Sequence, residues 1–181
     1  MKLAPDKSII TSSNKIMRYF LPAGITAIIL FSLSFTTSSH AESNNLNNQR
    51  KKILQLKKAL KKNPGDAEKH YFLGKIYEKR GDYKKAIHEY KEVIKLEPEA
   101  TEAHYSLGLA YRWIGNYEGA IMEYKAAIKI EPDYREAHYK LGAAYEATGD
   151  YEEAIKEYIK VVRLNPEDAE AHYDLGAAYE E

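Results

Sequence analysis

The chain has 181 residues, with 27 Lys+Arg balanced by 27 Asp+Glu, 16 tyrosines and no cysteine. That length suits about one domain with a sizeable core, and the charge balance lacks the basic excess that nucleic-acid binding uses. The absence of thiols excludes disulfide frameworks, thiolate zinc sites and thiol catalysis.

Residues Phe20 to Phe35 form an uncharged, mostly apolar run, preceded by Lys2, Lys7, Lys15 and Arg18 and followed by Ser39-His40-Ala41. Positive start, apolar centre and small residues before Glu42 are the layout of an export signal. As a helix the run of 16 residues reaches about 24 Å, short of the roughly 30 Å of a bilayer core. The longer charge-free stretch from Tyr19 to Ala41 is enough for an uncleaved anchor. Residues 1–41 therefore read as a signal peptide or an N-terminal membrane anchor, and the remainder as exported, periplasmic or extracellular. Residues 42–48, rich in Asn, read as a polar linker.

Residues 49–65 read as a basic capping helix. Ile53, Leu56 and Leu60 recur at helical spacing, while Arg50, Lys51, Lys52, Lys57, Lys58, Lys61 and Lys62 surround them. These seven cations either contact an anionic membrane surface or simply solvate the helix.

From Pro64 onward a 34-residue step governs the chain. It links Pro64, Pro98, Pro132 and Pro166; His70, His104, His138 and His172; Gly74, Gly108, Gly142 and Gly176; Tyr77, Tyr111, Tyr145 and Tyr179; Ala86, Ala120 and Ala154; and Tyr90, Tyr124 and Tyr158. Residues 101–134 and 135–168 agree at 16 of 34 positions. Leu107, Ala110 and Tyr111, then Ala120, Tyr124, Ala127 and Ile128, fall at helical intervals on either side of Gly115-Asn116, so each unit predicts two helices. Gly115 supplies the positive-φ stop and Asn116 the next N-cap, with Gly81-Asp82 and Gly149-Asp150 in the same places and Glu153 completing a capping-box spacing from Asp150. Gly108, which costs roughly 1 kcal/mol in a helix, is expected to face Ala120 where the two helices approach.

The pattern His-x-x-Leu-Gly-x-x-Tyr, Ala-x-x-x-Tyr, then Pro, in steps of 34, resembles the tetratricopeptide repeat. The resemblance implies an all-α, right-handed superhelical solenoid of antiparallel helix pairs over residues 66–181, with three full repeats and the first helix of a fourth. One departure is the histidine where the family often has Trp, Leu or Phe. A histidine ladder at roughly 10 Å spacing cannot gather into one metal site, so no metal or cofactor is expected. Packing as partly buried neutral imidazoles, these histidines should resist protonation, so that acid loosens the stack.

The resemblance also implies a concave, partner-binding groove lined by first helices. By register it holds Glu68, Tyr71, Lys75 and Glu78; Glu102, Tyr105, Leu109, Arg112 and Trp113; Glu136, Tyr139, Ala143 and Glu146; and Glu170 and Tyr173. This is a tyrosine strip with an acidic border, suited to a protein or peptide partner; the alternative is that the tyrosines are packing residues. Family members that clamp the terminal carboxylate of cytosolic chaperones use Lys, Asn and Arg, where this chain has Tyr71, Lys75, Ser106, Glu136 and Lys140, which disfavours that role. From Asp66 onward 16 positive and 25 negative residues leave a net of −9, which opposes nucleic acid along the groove. No Gly-x-Ser-x-Gly, Walker, His-Glu-x-x-His or dinucleotide motif occurs, so the expectation is a noncatalytic interaction scaffold or assembly factor. Because the sequence stops within a fourth unit, two alternatives stand beside it. One is a solenoid that self-associates through its C-terminal face, the other a truncated adaptor region of a larger enzyme.

Overall fold

The computed structural model describes residues 44–180; the signal or anchor assigned to residues 1–41 lies outside the described residues. The chain divides into two units, Met1–Arg50 and Lys51–Glu181. Among the described residues there are eight helices and no strand. Helix α1 covers residues 44–62. Then follow α2 (Ala67–Lys79), α3 (Tyr83–Leu96), α4 (Thr101–Trp113), α5 (Tyr117–Ile130), α6 (Arg135–Thr148), α7 (Tyr151–Leu164) and α8 (Ala169–Glu180). From α2 to α8 each helix packs on its neighbour in the chain, and the first helices of successive units, α4 and α6, also touch. The result is an all-α solenoid of antiparallel pairs.

Helix α1 begins earlier than its sequence suggests. Residues 44–48, read as linker, are helical. With neither Gly nor Pro between residues 42 and 62, nothing stops the helix from extending back, and Gln49 Nε2 donates to Asn45 Oδ1 one turn away at 3.5 Å. Further along α1, Leu60 is buried in a cluster with Leu73 and Tyr77, and Ile53 and Leu56 pack against that cluster. Arg50, Lys51, Lys52, Lys57, Lys58, Lys61 and Lys62 are all exposed.

Each pair turns on a glycine in the left-handed region: Gly81 at φ 72°, Gly115 at 77° and Gly149 at 83°. The N-caps that follow are not equivalent. Asn116 Oδ1 accepts from the Gly119 amide at 3.0 Å, whereas Asp82 and Asp150 make no side-chain cap bond. Asp150 instead accepts from Thr148 Oγ1 at 2.7 Å, so the capping-box spacing to Glu153 is not used. Asn116→Ala is accordingly expected to lose about 1 kcal/mol of stability and Asp150→Ala markedly less, measured as the shift in urea midpoint.

The helix-to-helix contact is set by a ring rather than by a small residue. A Cβ placed on Gly74, Gly108 or Gly142 would lie 2.6, 2.5 or 2.7 Å from a ring carbon of Tyr90, Tyr124 or Tyr158 respectively. Gly108 therefore faces Tyr124 and not Ala120, because the phenol from the second helix lies flat in the notch that the missing side chain leaves. All three tyrosines are fully buried.

Candidate peptide-binding surface

The groove tyrosines are half core and half surface. Tyr71, Tyr105 and Tyr139 tilt against the buried Tyr90, Tyr124 and Tyr158 with ring centroids 5.8, 5.9 and 5.8 Å apart, a favourable aromatic geometry. Each ring packs on its buried neighbour and stays half-buried. Tyr173, in α8, is 77% exposed. Sequence reasoning missed Tyr134, whose ring lies 5.1 Å from that of Tyr105; it has no counterpart at the 34-residue step and so gave no periodic signal. Burial, together with neighbouring phenols and glutamates, pushes the Tyr134 hydroxyl up to about 12.

The acidic border divides into exposed and inward-turned carboxylates. Glu68, Glu102, Glu136 and Glu170 are exposed, and Arg135 Nη2 reaches Glu136 at 2.7 Å while its Nη1 bonds Asp168 at 2.7 Å. Glu78 and Glu146 are committed inward: they accept from Tyr90 and Tyr158 hydroxyls, each at 2.5 Å. Lys75 donates to both oxygens of Glu78 at 3.0 Å. Tyr139 donates to Asp174 at 2.6 Å, an acceptor the repeat did not announce, and Lys140 lies over the Tyr139 ring at 4.7 Å. Burial first, then this bond to a carboxylate, raises the Tyr139 hydroxyl well above the usual phenol range. Leu109 and Ala143 are half-buried between these elements.

Arg112 and Trp113 form a different corner. The Trp113 indole is 59% exposed, stacks on Tyr83 at 5.4 Å with 5° between planes, and carries the Arg112 guanidinium over its ring at 5.3 Å. Trp113 thus joins the end of α4 to the start of α3.

The histidines are held by partners that their spacing did not suggest. Nδ1 of His70, His104 and His138 meets Glu89, Glu123 and Glu157 at 2.7, 2.7 and 2.6 Å. Nε2 of each donates to the carbonyl of Pro64, Pro98 or Pro132 at 3.1, 3.0 and 2.9 Å, and His172 Nε2 does so to Pro166 at 3.0 Å. Glu89, Glu123 and Glu157 recur at the same 34-residue step, which is the signal that would have found them. A ring between a carbonyl and a carboxylate is suited to donating from both nitrogens. For His138 burial pulls the pKa down, but the bonds to Glu157 and the Pro132 carbonyl and the Glu157 charge outweigh it and hold the imidazole above its ordinary value. The expectation that acid would loosen the stack by charging buried neutral imidazoles is thus reversed at His138.

The TPR repeat family model matches residues 74–112, 111–149 and 147–181. Two solved MamA structures are similar: one at 35% identity and TM-score 0.69 over 71% of this chain and 75% of that chain, the other at 32% and 0.72 over 77% and 76%. A structure described as the first TPR of Spaghetti (RPAP3) bound to an HSP90 peptide is 27% identical, with TM-score 0.61 over 63% of this chain and 90% of that one. No curated protein matches the chain significantly.

Proposed function

The chain belongs to the tetratricopeptide-repeat family and builds a protein-interaction scaffold; from that premise we propose that it takes a partner peptide or helix in the concave groove, without catalysis, outside the cytoplasm. The observation that carries this reading is the strip of Tyr71, Tyr105 and Tyr139, each ring held from behind by a buried tyrosine. Aromatic side chains fixed in this way present large contact area at little entropic cost. Exposed Glu68, Glu102, Glu136 and Glu170 border the strip, so a cationic partner segment suits it, with basic side chains able to lie on the rings. The RPAP3 domain bound to a chaperone peptide supports peptide binding as the mode.

The test must leave the core intact, which rules out truncating Tyr105 or Tyr139. Crosslinked recovery from membrane and extracytoplasmic fractions, using the wild-type chain and a Glu102→Lys/Glu136→Lys variant, is expected to lose the partner at least ten-fold in the variant at unchanged helicity. Equal recovery by both would move binding away from the groove. The seven exposed cations from Arg50 to Lys62 support a second contact, with an anionic membrane surface, at about 1 kcal/mol per residue. Flotation with phosphatidylserine vesicles, against phosphatidylcholine alone, tests it: binding to both alike would end that reading. Among the described residues no helix is long and apolar enough to cross a membrane.

A further inference from the structure

The second helices turn one face directly away from the core. In α3 the buried Ala86, Tyr90 and Val93 lie on one side, and at about 100° per residue positions 84, 88, 91 and 95 fall within an arc of roughly 60° on the opposite side. The 34-residue step carries this face to positions 118, 122, 125 and 129 of α5, to 152, 156, 159 and 163 of α7, and back to 54, 57 and 61 of α1. Every one of these residues is exposed except Ile159, which is half-buried. The charge of the face is opposite to that of the solenoid. Of the 16 positive residues from Asp66 onward seven stand on it, and of the 25 negative residues only two, Glu118 and Glu152. Lys57, Lys91 and Lys125 make one row across the helices, and Lys61, Lys95, Lys129 and Arg163 another. The first row keeps its place from unit to unit: each ammonium lies over a tyrosine of the following first helix, Tyr77, Tyr111 or Tyr145, at 5.9, 5.5 and 5.2 Å. Lys95 has Glu92 at 3.6 Å and Lys156 has Glu153 at 2.6 Å, surface pairs that contribute little and exchange readily. Leu54 and Met122, 70% and 69% exposed, share a third row among these cations.

Resting on the membrane contact proposed above for α1, we propose that this outer face of α1, α3, α5 and α7 docks as a whole on an anionic lipid bilayer, with the first helices and their tyrosine strip in the layer away from the lipid. Helices packed about 10 Å apart, each presenting cations at steps of roughly 6 to 10 Å along its axis, make a two-dimensional grid. Such a grid suits a plane of charged headgroups, whereas a linear polyanion follows a single row. The apolar side chains of Leu54 and Met122 fit the same partner, because a bilayer offers an acyl boundary beneath its headgroups. The acidic residues of the first helices do not oppose the contact. They stand about one helix spacing, roughly 10 Å, further off, beyond the roughly 8 Å over which physiological salt screens a charge.

The test is lysine acylation of the full-length protein, read residue by residue by mass spectrometry, on vesicles of phosphatidylserine with phosphatidylcholine and on phosphatidylcholine alone. The labelling pattern reports which face is covered, whatever else holds the chain to the vesicle. On the anionic vesicles Lys61, Lys95 and Lys129 are expected to lose about five-fold or more in labelling rate, while Lys75, Lys79 and Lys140 on the first helices keep theirs, and high salt should reverse the loss. Lys129→Glu should weaken the protection of Lys95 several-fold, whereas Lys79→Glu, which also changes a last-turn lysine, should leave it unchanged. Protection confined to Lys57, Lys58 and Lys61 overturns the extended face and leaves the contact through α1 standing. Equal protection on both kinds of vesicle, or protection of the first-helix lysines together with the rest, overturns recognition of an anionic surface by this face. No protection of any lysine removes the α1 contact and this proposal with it. Protection by a double-stranded DNA fragment, with none on the anionic vesicles, assigns the face to a linear polyanion and overturns the bilayer.

Discussion

Tyr158→Ala is expected to lose about 3–5 kcal/mol, the range for removing a large buried aromatic side chain, read as a fall in urea midpoint and in Tm. Tyr158 is fully buried, fills the notch over Gly142, backs Tyr139 and donates to Glu146. Its removal therefore opens a cavity, unseats a groove residue and leaves a carboxylate without its donor. The converse substitution at the other half of the contact, Gly142→Val, should cost about 1–3 kcal/mol by overpacking, since the first added carbon would already be 2.7 Å from the Tyr158 ring. Neither change alone should restore what the other removes, because valine cannot refill the flat space of a phenol. A double variant more stable than Tyr158→Ala by less than about 1 kcal/mol would agree with that; full mutual rescue would mean that the notch is compliant and that the ring does not set the spacing.

The second large effect concerns pH. His138, with its side chain 8% exposed, has a folded-state pKa above its ordinary value. A raised histidine pKa contributes stability that is fully present below the unfolded value near 6.5 and is lost as pH rises through the folded value. Mild acid down to that range should preserve or strengthen the contact, and mildly alkaline solution should weaken it. Nitrogen-detected NMR titration of His138 should show a midpoint above 6.5 that falls in Glu157→Gln. At pH 6 Glu157→Ala leaves a buried imidazolium without its counter-charge, a change that costs roughly 3–5 kcal/mol at fully buried sites and less here because Glu157 keeps 21% exposure. A His138 midpoint at or below 6.5, unmoved by Glu157→Gln, would sink the account.

What could be read from the sequence follows from what repeats. The 34-residue step exposed the helix pairs and the turn glycines at Gly81, Gly115 and Gly149, and helical spacing exposed the apolar face of Ile53, Leu56 and Leu60, because each depends only on local spacing. The partner of Gly108 was misjudged because the residue opposite a glycine is fixed by how two helices cross, and helical spacing within each says nothing of the crossing point. The histidine pairs were hidden although Glu89, Glu123 and Glu157 obey the same step: the two side chains of each pair are 19 residues apart, on different helices, and meet only once the hairpin closes. At the candidate surface, register placed Tyr71, Tyr105 and Tyr139 in equivalent positions, but it ranked Glu78, Glu146 and Arg112 as equivalent lining. The difference between them, two carboxylates that accept from buried phenols and one guanidinium set against Tyr124 and Trp113, exists only in the side-chain contacts.

The ring-in-notch contact also makes the solenoid a measuring rod. Three identical phenols against three glycines hold successive units at one thickness, and the direct contact of α4 with α6 brings Tyr71, Tyr105 and Tyr139 to rungs about 8–10 Å apart. A helix rising 1.5 Å per residue covers about 10 Å in roughly seven residues, two turns, which returns to the same face. An extended chain at about 3.3 Å per residue covers it in roughly three. A partner that contacts all three rungs, helical or extended, must therefore carry its anchors at this one interval along its own chain.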